Sequence, residues 1–194
     1  MSALSLAHEP VTGIRHGKLG MWIFLASEVM FFSGFFTTFI ILRNNNLAAF
    51  AKGAAELSWP LAALNTVVLI LSSWTVASSI MALEQGKTER FRLFMFITFL
   101  CACTFLVVKY IEYTTKFHHG IYPSTSTFFA LYFIMTGFHA MHVIGGMIPC
   151  GWMLARSFSK KGYTDYGRVE IFGLYWHFVD LVWIFLFPIL YLIF

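Results

Sequence analysis

Glu28 places a carboxylate inside an apolar run, Gly20-Met-Trp-Ile-Phe-Leu-Ala-Ser-Glu-Val-Met-Phe-Phe-Ser-Gly34. If this run crosses a bilayer, Glu28 lies ~15 Å past the polar flank at Lys18, near the middle of a hydrocarbon slab roughly 30 Å thick. An ionised side chain at that depth costs about 2.5 to 3.5 kcal/mol on insertion scales, so it should face other protein and find a partner. Helical spacing puts Phe24, Phe31, Phe32 and Phe35 on the same side, and desolvation in such an aromatic pocket favours the protonated, hydrogen-bond-donating acid. Two kinds of chemistry are therefore open to Glu28: proton exchange inside the membrane, or a structural hydrogen bond between helices.

Other polar residues interrupt the later apolar runs: His139 with His142 and His177 with Asp180 at mid-membrane depth, a weaker stripe of Asn65, Ser72 and Ser79 on the second run, and Lys109 with Glu112 near the outer end of the third. Histidines raise the question of a metal or haem, because imidazole suits copper and iron and bundle ligands project from facing helices. His139 and His142 are three apart on one helix, so they cannot be the two axial ligands of one haem, and His177 alone gives no bis-histidine pair. No His-Glu-x-x-His run is present. The expectation is a buried polar network of His139, His142, His177, Asp180, Glu112 and Asn65 in hydrogen-bonded structural roles, with no metal and no cofactor held by this chain. Lys109 and Glu112 are spaced for an ion pair, and a lysine snorkelling to the interface fits the same residues. Cys101, Cys103 and Cys150 all lie in apolar runs and read as small buried side chains, not as a disulfide framework or zinc site.

The elements that carry these residues are set by composition. Of 194 residues, 59% are hydrophobic and 11% are charged, against about a quarter charged in soluble domains. The chain is expected to be an integral membrane protein and a single domain over residues 1–194. Residues 1–17 carry Glu9, Arg15 and His16 and contain no apolar core of a secretory signal. Five apolar segments, roughly 18–42, 58–83, 91–114, 127–155 and 170–193, each reach the ~20 residues that a crossing helix needs. Runs such as Phe31-Phe-Ser-Gly-Phe-Phe36 do not alternate, which excludes a barrel. The predicted fold is an all-α bundle of five transmembrane helices. Arg43-Asn-Asn-Asn46 should end the first, and Ser58-Trp-Pro60 should start the second with a cap and a first-turn proline.

Thirteen Lys and Arg divide unevenly between the two sides. One side collects Arg15, Lys18, Lys87, Arg90, Arg92, Arg156, Lys160, Lys161 and Arg168. The other holds Arg43, Lys52, Lys116 and Lys109. By the positive-inside rule the N-terminus is cytoplasmic, and five crossings leave the C-terminal Leu190-Tyr-Leu-Ile-Phe194 outside. The basic residues are dispersed over loops and form no nucleic-acid motif.

Ser27-Glu28-Val-Met-Phe-Phe32, Leu64-Asn-Thr66 followed by Ser72-Ser73, Glu112-Tyr113, Gly137-Phe-His-Ala-Met-His142-Val143 and Tyr175-Trp-His-Phe-Val-Asp180-Leu-Val-Trp183 together resemble subunit III of haem-copper respiratory oxidases. The match runs through all five spans in order. The resemblance implies an accessory subunit without haem or copper of its own, those cofactors being held by partner subunits. It also implies packing against subunit I with subunit II in the same complex, bound structural phospholipids, and support of proton uptake and of lifetime during turnover. Assembly into a respiratory supercomplex with a quinol-oxidising complex belongs to the same expectation, as does a bacterial inner membrane. Glu28 corresponds to the family's intramembrane carboxylate, known for reacting with carbodiimides. The chain lacks the first two helices of the seven-helix form. Those helices close a lipid-filled cleft, so that form's lipid contacts cannot be transferred intact.

The leading function is a non-redox subunit of a proton-pumping oxidase that oxidises cytochrome c and reduces oxygen to water. Alternatives within the family are the third subunit of a quinol oxidase or of a nitric oxide reductase complex. A stand-alone proton-coupled transporter using Glu28 and the histidines is the alternative from another class, although no inverted repeat or pair of broken helices is visible.

Overall fold

A computed structural model describes residues 16–159 and 163–192. Arg15, Lys160 and Lys161 of the charge count, the N-terminal segment 1–15 and the last two residues, 193 and 194, lie outside the described residues. The elements are α1 (His16–Asn45), α2 (Leu47–Ala55), α3 (Trp59–Glu84), α4 (Thr88–His118), α5 (Thr127–Ser157) and α6 (Tyr166–Tyr191). Five of the six helices, all but α2, are long and apolar enough to cross a membrane. They match the expected segments, with α4 running four residues further, to His118.

Helix α2 is a correction to the sequence reading, which left the stretch after Asn46 as a connection. Its nine residues, Leu47-Ala-Ala-Phe-Ala-Lys-Gly-Ala-Ala55, are good helix formers but too few to hold a helix alone. Packing supplies the rest: Phe50, Gly53 and Ala54 are buried, and the Phe50 ring meets Phe39 of α1 and Phe128 of α5 edge-on. Gly53 is required, since a Cβ there would stand 2.4 Å from the Phe128 ring. Ser58 precedes α3 as expected and Pro60 sits in its first turn, but the serine side chain makes no capping hydrogen bond. Among the described residues the side chains that cap are Ser126, accepting from the Phe129 amide, and Asp165, accepting from the Arg168 amide.

Helices α3, α4, α5 and α6 pack in a closed ring, each against the next and α6 back onto α3. Inside it lie Trp176, Trp183, Tyr132, Phe105 and Met95, all fully buried. Small polar groups stitch the ring. The Trp176 and Trp183 indoles donate to the Ser72 and Thr66 hydroxyls, both at 3.0 Å, and Thr75 meets Thr98 at 2.8 Å. Gly146 lets α5 approach α6 so closely that a Cβ would lie 2.6 Å from Trp176. Helix α1 stands outside the ring against α5 and α6. Much of its apolar surface, including Trp22, Ile23, Val29, Met30, Ile40 and Ile41, is exposed, as suits a helix facing lipid or another chain.

Candidate functional site

Glu28 sits where α1 crosses α5. Its Oε2 is 3.0 Å from Nε2 of His142, and the two side chains are 18% and 17% exposed. The enclosure is partial: Phe32 is buried, whereas Phe24 and Phe31 are 40% and 41% exposed. The aromatic pocket expected around the carboxyl is therefore open on one flank, and the partner that answers its cost is a histidine 114 residues away. Phe32 packs edge-on against the His142 ring at 5.3 Å. The Tyr175 hydroxyl of α6 donates to the His142 carbonyl at 2.9 Å, tying α6 to the same spot.

Hydrogen bonding fixes one proton of this pair and leaves a second to be shared. The Nδ1 atom of His142 is 2.8 Å from the Phe138 carbonyl one turn earlier. A carbonyl only accepts, so Nδ1 carries a hydrogen and Nε2 is left for Glu28. The short contact then needs one proton, placed either on Glu28, as an acid donating to Nε2, or on Nε2, as an imidazolium donating to a carboxylate. Net charge is zero in both forms. The pair can thus hold a transferable proton in the membrane without the cost of an isolated charge.

A second polar group closes the far end of the ring. Lys109 Nζ is 2.8 Å from Glu112 Oε2, 3.1 Å from the Tyr191 hydroxyl and 3.3 Å from that of Tyr132, while Tyr191 donates to Glu112 Oε1 at 2.8 Å. The ammonium also lies over the rings of Tyr113, Tyr132, Trp183 and Tyr191 at 5.1 to 5.7 Å. With side chains only 4% and 2% exposed, the two charges form a buried ion pair in an aromatic cage, and the snorkelling alternative is excluded by geometry. His177 makes a third group: its Nδ1 is 2.7 Å from the Ser73 hydroxyl of α3.

The single network expected among these residues is not what the structure brings together. His142 pairs with Glu28, Glu112 with Lys109 and two tyrosines, and His177 with Ser73, in three separate sets. Asn65, His139 and Asp180 are buried with no hydrogen-bond partner among the described residues. Ser73 flanks Asp180 as well, without a hydrogen bond of ordinary geometry to either carboxylate oxygen. His139 instead lies against the rings of Phe105 and Trp183. Sequence reasoning passed over Phe138, Tyr175, Ser73, Tyr132 and Tyr191 as functional partners. The one signal available was the four-residue step from Phe138 to His142, which lets an imidazole reach its own helix's carbonyl. Among the described residues no three His, Cys, Asp or Glu side chains converge as a metal site. The three cysteines are free, Cys101 and Cys150 being buried.

Comparison with known proteins adds the following. A family model described as cytochrome c oxidase subunit III matches residues 5–193. The probable cytochrome c oxidase subunit 3 of Nocardia farcinica is 36% identical over 177 residues, covering 91% of this chain and 87% of that protein. The cytochrome c oxidase subunit 3 of Corynebacterium diphtheriae is 36% identical over 180 residues, with the same coverage. The probable quinol oxidase subunit 3 of Staphylococcus haemolyticus is 31% identical over 180 residues, covering 91% of this chain and 88% of that protein.

Proposed function

The chain belongs to the cytochrome c oxidase subunit III family, and from that premise we propose that it is the non-redox accessory subunit of a proton-pumping oxidase in a bacterial inner membrane. It packs against subunit I, with subunit II in the same complex, while haem and copper reside in those partners. Cytochrome c is the electron donor, and the complex joins a quinol-oxidising complex in a supercomplex. The N-terminus is cytoplasmic and the C-terminus periplasmic. The observation that carries the reading is the match through all five spans, 5–193.

Within this role the Glu28–His142 pair is the proton-holding site. It lies on the open flank of α1, where a neighbouring subunit or lipid completes its enclosure, and it exchanges a proton between acid and imidazole without creating net charge. A cleft of about 340 Å³ runs from beside Tyr175 past Phe24, Met21, Gly145 and Pro149 to Trp152 and Arg168. Arg156 and Arg168 both stack on Trp152 at its basic end. An apolar trough ending in arginines suits a phospholipid, with the acyl chain in the trough and an anionic headgroup at the guanidinium groups.

Purification of the complex in mild detergent tests the assignment. A haem- and copper-containing subunit should accompany the chain in stoichiometric amount; isolation of the chain free of any such partner from respiring membranes would overturn it. The Staphylococcus haemolyticus relative favours a second reading, a quinol-oxidising complex. Oxygen uptake with reduced cytochrome c against uptake with a quinol separates the two.

A further inference from the structure

Tyr175 of α6 touches both helices that carry the Glu28–His142 pair. Its hydroxyl donates to the His142 carbonyl of α5 at 2.9 Å. Its ring lies 6.2 Å, centroid to centroid, from that of Phe24, which precedes Glu28 on α1 by about one helical turn. Two glycines make the seat for this side chain. A Cβ on Gly145 would stand 3.3 Å from the Tyr175 hydroxyl, and one on Gly146 would stand 3.1 Å from its ring and 2.6 Å from that of Trp176. Bare backbone at both positions lets the phenol lie against α5 and reach the carbonyl of the turn before.

The choice of acceptor gives this bond its meaning. Within the helix the His142 carbonyl already receives the amide hydrogen of residue 146, and its second lone pair takes the phenol. Helix α6 therefore grips α5 at the residue whose imidazole meets Glu28. The Phe138 carbonyl holds the ring through Nδ1 and sets how the imidazole turns; Tyr175 holds the backbone from which it projects. The 3.0 Å contact to Glu28 can lengthen by only about 0.5 Å before it ceases to be a hydrogen bond. Helix α1 stands outside the four-helix ring, so its register against α5 depends on side chains that reach across, as Tyr175 does. We infer that Tyr175 is the positioning residue of the Glu28–His142 pair: by holding the His142 backbone and the Phe24 ring, it keeps Nε2 within reach of the carboxyl and the proton shared. This rests on the reading of the pair as a proton-holding site.

The assembled complex tests this with dicyclohexylcarbodiimide, an apolar reagent that reports how firmly the Glu28 proton is held. Labelling begins when the acid gives its proton to a nitrogen of the reagent; a carboxylate oxygen then bonds to the central carbon, giving an O-acylisourea. An acid already donating to Nε2, or a carboxylate whose proton sits there, is a poorer donor to the reagent. His142→Leu should therefore speed labelling by about three- to tenfold, the range that one hydrogen bond of ordinary net strength imposes. Tyr175→Phe keeps the ring and removes only the hydroxyl. It should speed labelling in the native chain and add nothing in the His142→Leu background. The carbonyl of residue 142 is main chain and survives that substitution, so whatever Tyr175 adds to stability persists in both backgrounds, and thermal release of the chain reads it separately. Labelling of Tyr175→Phe at the native rate, with His142→Leu still accelerated, would overturn the positioning role. So would equal acceleration by Tyr175→Phe in both backgrounds, since Tyr175 would then only screen the carboxyl from the reagent. If His142→Leu itself leaves the rate unchanged, the proton-holding reading of the pair fails, and this inference with it.

Discussion

His142 uses its two ring nitrogens for different tasks, one for its own helix and one for Glu28, and this division decides what substitutions at Glu28 do. Glu28→Gln keeps the shape and supplies an amide hydrogen to Nε2, so assembly and initial oxygen reduction should stay close to wild type. The carbodiimide reaction that the family resemblance implies at Glu28 should disappear. Glu28→Ala leaves Nε2 without its partner, at about 1 to 3 kcal/mol, so faster inactivation during turnover is expected. Oxygen uptake followed over successive turnovers, with mass spectrometry of the labelled chain, reads both effects. At the other end of the ring, Lys109→Met strands the buried Glu112 carboxylate and should destabilise by about 3 to 5 kcal/mol. Adding Glu112→Gln should recover much of that loss, measured as the thermal midpoint for release of the chain from the complex. Failure of the double variant to improve on Lys109→Met would show that the aromatic cage, not the ion pair, holds the far end together.

At the scale of helices, two glycines of the same type call for opposite outcomes. Gly146→Ala drives a methyl to within 2.6 Å of the buried Trp176 ring, and such overpacking costs about 1 to 3 kcal/mol. Gly34→Ala on α1 meets nothing within 4 Å and gains helix propensity of up to about 1 kcal/mol. Thermal release of the chain should therefore fall for the first variant and hold or rise for the second. The five long helices were legible in the sequence because length and apolarity alone mark a crossing helix. Helix α2 was not, since nine residues persist only through contacts of Phe50, Gly53 and Ala54 that no local pattern reveals. Glu28 was legible as a residue in need of a partner. That the partner is His142 and not His139 depends on the register of α1 against α5, a tertiary quantity. The cage around Lys109 was hidden for the same reason, its aromatic walls coming from positions 113, 132, 183 and 191 on three helices.

For the whole molecule, a four-helix ring with α1 leaning on its outside gives one internally packed body and one helix with broad apolar exposure, the form expected of a subunit that completes its packing in a larger assembly. The proposed orientation rests on the bias of Lys and Arg between the two sides. A cysteine at Gln85, beyond the end of α3, should react with a membrane-impermeant reagent only after cells are opened. One at Ser124, between α4 and α5, should react in intact cells. The reverse pattern would invert the topology. The central claim, that this chain supports an oxidase without carrying its redox centres, is tested most directly by stripping the chain from the purified complex. The remaining subunits should keep all haem and copper and reduce oxygen at first at a rate near that of the intact complex, then lose activity faster with each turnover, and re-addition of the chain should restore their lifetime. Haem or copper leaving with the chain, or activity absent from the first turnover, would contradict the account.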